Sequence, residues 1–476
     1  ILPLHRSYPH EKSDPCNIEL VRQHRQINVV AQENLHHDYM TLNALTIPDL
    51  VELKRYVNGA PNTVEREVKT SDYAWLTNHQ NIFLSLEDGS DNLFALKINF
   101  TKYITSQKIL DDYILFLQEY PEVELWIVYP NGVQDKLIPW LLKLNHKKIK
   151  YKLFLLDNSL ETYWAHDASK PIYNGTLLPT KTENSSPTEY EQYLSTLTLG
   201  KMDGFRVITS PFEFAGGNLI VARDAVFIGT NDIQSNAKMH KRTPNEILTA
   251  MEQLFAKPVI EVGLPIASKN EYKQPDFHID LSMAVAIAKD GVFLEQNVVL
   301  LNSPKLLFEL LLNIDDLTTI SNEEFDTLIA EKIVPALRFY DEAIPNSKDK
   351  EELKINQLLL NSYQGLLMSY KRSDVLKAEL AYQAIQRLVQ DAGFKVIKLP
   401  GVSRFNHAHY LAVAINYTNV IFHRDRVLLP VFNIPALDEY TQKVYKSIGY
   451  KYFPMHTPRL SLCRGGGVRC LTETYR

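Results

Sequence analysis

The sequence predicts an α/β protein built from repeated units. The first observation is a strand–helix–strand rhythm, which is typical of repeat α/β architectures. It recurs as "VELWIVYP", "DKLIPWLLKLN" and "IKYKLFLLD"; as "DAVFIGTND", "PNEILTAMEQLFA" and "PVIEVGLP"; and as "RVLLPVF", "ALDEYTQKVYKSIG" and "YKYFPMH". The second observation is length. Because 476 residues exceed one ordinary hydrophobic core, we expect one large repeat-built domain or two or more domains.

The residues before the repeats predict a mostly helical extension, which we place at 1–120. The segments "NIELVRQHRQINVVAQENL" and "TIPDLVELKRYV" carry apolar residues at helical spacing. Further on, "NIFLSLEDGSDNLFALKINF" predicts two strands around an Asp-Gly turn. Residues 121–476 are expected to form the main α/β domain.

Helical patterns interrupt the repeats at about 304–393. The pattern is seen in "KLLFELLLNI", "EEFDTLIAEKIVPALRFYDEAI" and "KAELAYQAIQRLVQDAG". We predict a helical insertion between repeats here. Residues 178–192 are polar and rich in Ser, Thr and Pro, which predicts an exposed loop. Both segments are candidate lids over a site.

Composition and charge narrow the classes of function. The chain is 45% apolar and 22% charged, as in soluble globular proteins, and its net charge of −5 favours neither nucleic acid nor an anionic membrane as a partner. No apolar stretch is long enough to predict a membrane span. Three cysteines are too few for a disulfide framework. The chain starts at Ile1, as a trimmed or processed form would, so either the cytoplasm or export after processing is compatible with it.

One candidate constellation is "PDFHIDLSMAVA", at residues 275–286. If this segment is a strand, His278 and Asp280 point to the same side, because alternate residues of a strand share a face. A surface strand with alternating polar residues explains the same pattern. The motif therefore needs support from other segments.

Two further segments carry carboxylates beside turns or glycines. In "YWAHDASKPIY", Asp167 follows the expected end of a strand, where an ordinary turn aspartate is the simpler explanation. In "SPFEFAGGNLIVARDAVFIG", Glu213 lies in a strand-like run that reaches Gly216 and Gly217. Paired glycines in a strand pattern indicate a close approach by backbone or ligand, although a simple turn also fits.

The segment "GGGVRCLT" places Cys470 beside three glycines. A Cys–His pair indicates nucleophilic catalysis. Several carboxylates around such a nucleophile suit a guanidinium substrate, because a planar cation with many N–H donors binds carboxylates through paired hydrogen bonds. Cys463 is expected to be a bystander thiol.

Together these segments resemble the guanidino-group-modifying superfamily. This superfamily includes agmatine and arginine deiminases, arginine dihydrolases, peptidylarginine deiminases and glycine amidinotransferases. "WAHDASKP" resembles the Trp-x-Arg-Asp-x-Gly-Pro segment of agmatine deiminases, "FHIDLSMA" the shared His-x-Asp strand, and "GGGVRCLT" the glycine-rich cysteine loop. The resemblance implies a pentein fold, in which five ββαβ-like units surround a pseudo-fivefold axis with the site in the central channel.

The resemblance also implies roles for the residues. Cys470 is expected to be the nucleophile that attacks the guanidinium carbon, and His278 the general acid and base. Asp167 and Asp280 are expected to hold the guanidinium nitrogens, next to Gly216 and Gly217. No cofactor and no metal are expected.

Three departures from the family pattern bear on the substrate. Ala215 stands where relatives carry Glu before the paired glycines, so we assign Glu213, two positions earlier, to orienting His278 or contacting substrate. His166 and Arg469 replace an Arg and a His of agmatine deiminases. These changes argue against agmatine itself. Arg469 is expected to lower the pKa of the thiol or to bind a substrate carboxylate, unless it points away from the site.

The sequence thus favours a deiminase-type hydrolase that converts arginine or an arginine derivative, free or within a protein, to a ureido product and ammonia. One alternative is an amidinotransferase, in which an amine resolves the covalent intermediate. Another is a pentein that binds ligands without catalysis. Each of these three functions is compatible with a homo-oligomer.

Overall fold

The computed structural model describes residues 81–101, 107–156, 164–180, 193–264, 274, 276, 278–342, 361, 363–406, 411–456 and 466–476. The predicted helices before residue 81 and most of the predicted loop at 178–192 lie outside these residues. In the described part, strands and helices alternate along the chain, so the predicted α/β class is confirmed. None of the helices described is long and apolar enough to cross a membrane.

The first sheet joins the two ends of the described chain. Its order is β18–β1–β2–β3, with β1 at Ala95–Asn99, β2 at Glu124–Pro130, β3 at Tyr151–Leu156 and β18 at Thr472–Tyr475. The three early strands run parallel, and β18 is antiparallel to β1. Helices α1 (Gln107–Glu119) and α2 (Gln134–His146) make the parallel connections. Strand β1 was predicted to belong to the extension, whereas the structure pairs it with β2 and β18 in this sheet.

Four three-stranded sheets share one pattern, in which the first two strands are antiparallel and the last two are parallel. Their strands are β4 (Lys170–Ile172), β5 (Gly175–Leu178) and β6 (Arg206–Thr209); β7 (Leu219–Val221), β8 (Val226–Gly229) and β9 (Val259–Val262); β10 (Met283–Ile287), β11 (Asn297–Ser303) and β12 (Lys395–Pro400); and β15 (Ile421–His423), β16 (Arg426–Pro430) and β17 (Lys451–Met455). A hairpin of β13 (Val402–Asn406) and β14 (Leu411–Ile415) is separate.

Helices connect the parallel strands of three of these sheets. They are α3 (Thr230–His240) and α4 (Pro244–Phe255), α5 (Pro304–Leu312), α6 (Asn322–Glu342) and α7 (Arg372–Asp391), and α8 (Pro435–Ser447). A last short helix, α9 (Val468–Leu471), follows β17 and leads into β18. Helices α5–α7 lie between β11 and β12, which pair within one sheet. The predicted insertion therefore lies inside one repeat unit rather than between two units. Its apolar face packs on that sheet, with Phe308, Ile333 and Ile385 buried.

The stretch before β1 was predicted as two strands around an Asp-Gly turn, and only its second half forms a strand. In the first half, backbone groups bond to different sheets: Ser85 N–H to the Pro171 carbonyl, and Glu87 N–H to the Val221 carbonyl. Because these partners lie on two sheets, the segment runs across sheet edges and does not fold back on β1. This path brings Glu87 to the site described next.

Candidate active site

His278 and Asp280 converge on Gly217. A Cβ atom built on Gly217 would lie 2.6 Å from His278 Nδ1 and 3.1 Å from each Asp280 carboxylate oxygen. The two side chains therefore line the space above a backbone that only glycine leaves open. Gly216 is equally confined, because its Cβ would meet the His166 carbonyl oxygen.

A tight turn, and not a strand, brings these side chains together. His278 is extended, with φ −130° and ψ 143°, and Ile279–Leu281 form a 3-10 turn before β10 starts at Met283. Asn218 fixes this turn, since its side-chain oxygen accepts a hydrogen bond of 3.2 Å from the Ile279 N–H. The predicted strand at His278 is thus wrong, although the convergence expected from it is present.

Asp167 reaches the same place from the turn before β4. Its Oδ1 lies 3.6 Å from His278 Nδ1, and its backbone carbonyl accepts a hydrogen bond of 3.1 Å from the Gly216 N–H. Burial raises the pKa of Asp167 to about 6, and the charge of Asp280 adds to this while His278 opposes it. A cation bound here would restore the ordinary acidity of Asp167.

Cys470 lies in α9, which follows Gly467 and leads into β18. Its Sγ is 3.8 Å from Asp280 Oδ2 and 3.1 Å from Asn419 Nδ2, and the side chain is buried. The Cys470 carbonyl accepts a hydrogen bond from the His166 N–H, which ties the cysteine segment to the Asp167 turn. Burial, and then the carboxylates of Asp280 and Asp167, raise the pKa of the thiol well above its ordinary value.

Arg469 turns towards the same carboxylates. Its Nη1 is 2.8 Å from Asp280 Oδ2, and its Nη2 is 3.0 Å from Glu87 Oε1. Nη2 also donates to the Leu219 carbonyl at 3.2 Å. With these three acceptors the guanidinium is buried and held in place. Binding of a substrate carboxylate by Arg469 stays a prediction.

Glu87 stands between two cations. Lys170 Nζ donates to both Glu87 oxygens at 2.9 Å, and Arg469 contacts Glu87 from the other side. Burial alone raises the Glu87 pKa, but the two cations outweigh it and the pKa lies below its ordinary value. Burial lowers the pKa of Lys170 to about 8. His166 Nε2 is 3.1 Å from Lys170 Nζ, and burial, together with both cations, lowers its pKa so far that the ring is neutral at pH 7.

Two buried carboxylate oxygens at the site lack a hydrogen-bond donor among the described residues. They are Oδ1 of Asp167 and Oδ1 of Asp280. The other Asp280 oxygen is saturated, since it accepts from Arg469 and from Asn419. Buried polar atoms without a partner are rare in proteins. This pair, beside a thiol and an imidazole, suits a ligand that brings several N–H donors and a positive charge.

Glu213 lies in an irregular segment between β6 and the turn at Gly216–Asn218, not on a strand as predicted. Its carboxylate accepts a hydrogen bond of 2.8 Å from Ser235 Oγ on α3, and its backbone bonds to the Asn236 side chain. A catalytic role for Glu213 stays a prediction.

Three residues of the cluster escaped the sequence reasoning: Glu87, Lys170 and Asn419. Lys170 stands in the quoted "WAHDASKP" segment, but no role was predicted for it. Glu87 and Asn419 lie in segments without any motif. A charged residue at the end of an apolar run was the only available signal for Glu87, and such residues are common on surfaces.

The fold is similar to that of solved guanidino-modifying enzymes such as agmatine deiminase, which confirms the resemblance drawn from the motifs at the level of the fold. A substrate-bound variant of agmatine deiminase from C. jejuni matches with a TM-score of 0.51 and 14% identity, over 86% of this chain and 98% of its own. Agmatine deiminase of Enterococcus faecalis matches with a TM-score of 0.44 and 10% identity, over 83% and 96%. DDAH from Pseudomonas aeruginosa, in complex with citrulline, matches with a TM-score of 0.37 and 10% identity, over 81% and 100%.

No protein-family model matches the chain, and no curated protein sequence matches it either. At these identities the likeness to the solved structures establishes the fold. The chemistry has to be argued from the site itself.

Proposed function

We propose that the protein is a cysteine-dependent hydrolase of guanidino groups, acting on arginine or an arginine derivative. One observation carries the proposal: two donor-free carboxylate oxygens, on Asp167 and Asp280, stand beside the buried Cys470 thiol. A guanidinium supplies both the missing donors and the missing charge. The guanidino-modifying neighbours support the same substrate class.

The charges of the cluster favour a ligand with one positive charge. Asp167, Asp280 and Glu87 are opposed by two fixed cations, Arg469 and Lys170. With Cys470 as a thiol, His166 neutral and His278 in the unprotonated form that the proposed reaction requires, one negative charge is left over, and it lies next to the open oxygens. A single guanidinium balances it.

The reaction would start when the bound cation stabilises the Cys470 thiolate. Burial and two carboxylates raise the pKa of the free thiol, and a guanidinium between them reverses the effect of those carboxylates. The thiol proton moves to His278, and the sulfur attacks the guanidinium carbon. The carbon–nitrogen bond then breaks, and His278 returns the proton to the departing ammonia.

Water would complete the reaction. His278 takes a proton from the water as it adds to the carbon of the thiouronium. The carbon–sulfur bond breaks, the sulfur takes the proton back from His278, and the hydroxyl proton of the adduct is lost to solvent as the neutral ureido product forms and leaves. Asp167, 3.6 Å from His278 Nδ1, orients the ring for both steps. Gly216 and Gly217 let the planar substrate approach the backbone.

We also propose how the sheets are arranged around the site. Each of five sheets contains an antiparallel and a parallel strand pair, and β18, the last described strand, pairs with β1, the first. These two features support a closed ring of five units with the site in its centre.

The test is the release of ammonia and ureido product from arginine, agmatine and arginyl peptides. We expect Cys470→Ala to lower the rate at least ~10³-fold, as loss of a nucleophile does in other enzymes. Cys463→Ala is the control, and it should keep the wild-type rate. Equal rates for wild type and Cys470→Ala would contradict the proposal.

A second measurement separates hydrolysis from the alternatives. A haloacetamidine should add covalently to Cys470 of the wild type, as intact mass reports. A protein that only binds ligands would give neither adduct nor turnover. If turnover requires an added amine and yields a new guanidino compound, the protein is an amidinotransferase.

A further inference from the structure

Asn419 makes a two-point contact with the cysteine. Its Nδ2 is 3.1 Å from Cys470 Sγ, and its Oδ1 accepts a hydrogen bond of 3.2 Å from the Cys470 N–H. The same Nδ2 donates to Asp280 Oδ2 at 3.0 Å. An amide nitrogen carries two hydrogens, so one points to the sulfur and the other to the carboxylate. The side chain therefore fixes the distance between the sulfur and Asp280.

The surroundings hold Asn419 in this orientation. Thr418 Oγ1 donates to the Asp280 backbone carbonyl at 3.2 Å, and Asn416 Oδ1 accepts from the Thr418 N–H at 2.8 Å. A Cβ on Gly467 would lie 2.8 Å from Asn419 Oδ1, so a larger residue there would displace the amide. Asn419 itself is fully buried. A donor held this firmly loses little entropy when charge develops on its acceptor.

A hydrogen-bond donor to the sulfur matters here because negative charges face the thiol and disfavour its ionised form. Asp280 and Asp167 face the thiol as anions, and Arg469, the charged neighbour on the other side, is already paired with Asp280 and Glu87. Burial and the two carboxylates raise the Cys470 pKa, whereas the Gly467 backbone and the Asn419 side chain lower it. Asn419 is thus the side chain among these that favours the thiolate without adding a charge.

We infer that Asn419 is a further catalytic residue, whose amide stabilises the Cys470 thiolate by hydrogen bonding before the sulfur attacks and again when the carbon–sulfur bond breaks. The inference rests on the proposed function, in which Cys470 is the nucleophile. In this proposal Asn419 stabilises the sulfur, and Arg469 compensates the negative charges of Asp280 and Glu87.

The experiment measures alkylation of Cys470 by iodoacetamide against pH. A Cys16→Ser, Cys463→Ser background leaves Cys470 as the only thiol, and intact mass reports its alkylation. Asn419→Ala removes the amide. Asn419→Asp keeps the shape and the acceptor for the Cys470 N–H, but replaces the donor by an anion.

We expect the alkylation midpoint of Asn419→Ala to rise by about one pH unit, so that the rate at a pH below the midpoint falls about tenfold. Asn419→Asp should shift it at least as far, because its charge opposes the thiolate. The matched control is Asn297→Asp, another buried amide that donates to a carboxylate, Asp224, at 2.7 Å. It should leave the midpoint unchanged.

The alanine variant decides the question, because it removes the donor without adding a charge. If the Asn419 amide contributes nothing to the thiolate, Asn419→Ala keeps the wild-type midpoint, and that result overturns the inference. Far-UV circular dichroism and thermal unfolding show that each variant is folded. The failure of the proposed function gives a different result from the failure of this inference. If Cys470→Ala keeps activity, the proposed function is wrong. The alkylation midpoint still shows whether Asn419 stabilises the thiolate.

Discussion

At the scale of single residues, the site depends on the absence of a side chain. His278 and Asp280 approach the backbone of Gly217 so closely that a methyl group cannot be added without moving one of them. Protein interiors yield little to such overpacking. The glycine therefore sets the position of His278 as directly as any hydrogen bond does.

We predict that Gly217→Ala lowers kcat/KM about a hundredfold, because a displacement of about 1 Å in a catalytic group has that effect. The free energy of unfolding should fall by about 1–3 kcal/mol from overpacking. Steady-state kinetics and urea unfolding measure the two effects.

Gly365→Ala is the matched control for this variant. Gly365 lies in the helical segment 363–369, and a Cβ built there meets nothing within 4 Å. Alanine should leave kcat/KM unchanged and raise stability by about 0.5–1 kcal/mol. If both variants kept full activity, the tight approach at Gly217 would have no catalytic importance.

Some residues of the site carry a signal in the local sequence, and others do not. Residue types and order along the chain were enough to single out His278, Asp280, Asp167 and Cys470, which the structure brings together. Glu87 could not be found in this way, because its importance comes from a path across two sheet edges that no local pattern encodes. Arg469 was recognised as unusual, but its partners Glu87 and Asp280 are 382 and 189 positions away.

At the scale of elements, α7 contacts the segment that carries His278. Tyr382 on this helix donates a hydrogen bond of 2.9 Å to Asp276 Oδ2, and Ser282 bonds to the same carboxylate. Burial raises the pKa of Asp276 to about 6, against the effect of these two donors. The helical insertion thus stabilises the ionised form of a carboxylate two residues from His278.

We predict that Tyr382→Phe lowers the free energy of unfolding more at pH 8 than at pH 5. The folded-state pKa of Asp276, about 6, lies above its ordinary value of 3.8. The group therefore weakens stability as pH rises through about 4–6, and the Tyr382 hydroxyl offsets part of that loss. At pH 8 the carboxylate is ionised, and losing the donor should cost about 1.5–3 kcal/mol; at pH 5 the protonated group loses less.

Urea unfolding at both pH values measures this difference. Tyr445→Phe is the control, since the Tyr445 hydroxyl is buried but donates to the neutral Tyr417 carbonyl at 2.8 Å. Its loss should be about 1 kcal/mol at either pH. An equal penalty for Tyr382→Phe at both values would mean that Asp276 does not change its charge in this range.

At the scale of the whole molecule, the first sheet joins distant parts of the chain. Lys97 on β1 and Glu473 on β18 form an ion pair of 3.0 Å, and both side chains are fully buried. Burial lowers the Lys97 pKa, and Glu473 is the partner that keeps the lysine charged. Thr196 and Tyr475 complete the hydrogen bonds of the pair.

We predict that Glu473→Gln lowers the free energy of unfolding by about 3–5 kcal/mol, because it leaves a buried charge without its partner. Adding Lys97→Met to the same variant should recover part of the loss, since the stranded charge is removed. Urea unfolding measures both. The exposed pair of Lys451 and Asp425 gives the control, where Asp425→Asn should cost less than about 1 kcal/mol.

The recurring units were predictable at this scale, and the pairing of β18 with β1 was not. Apolar strands and amphipathic helices leave a periodic pattern, so the α/β class and its blocks follow from the sequence. The pairing of β18 with β1 has no such pattern. Neither does the placement of α5–α7 inside one unit, because only the parallel pairing of β11 with β12 reveals it.

The pairing of β18 with β1 also has a kinetic consequence. Lys97 and Glu473 are 376 positions apart. Contacts of such high separation pay a large loop-closure entropy and form slowly. Cys470 stands two residues before β18, so its thiol reaches Asp280 and Asn419 only when this late contact forms. In partly folded chains the residues of the site are therefore not yet together. The return of activity during refolding should follow the slowest kinetic phase of refolding.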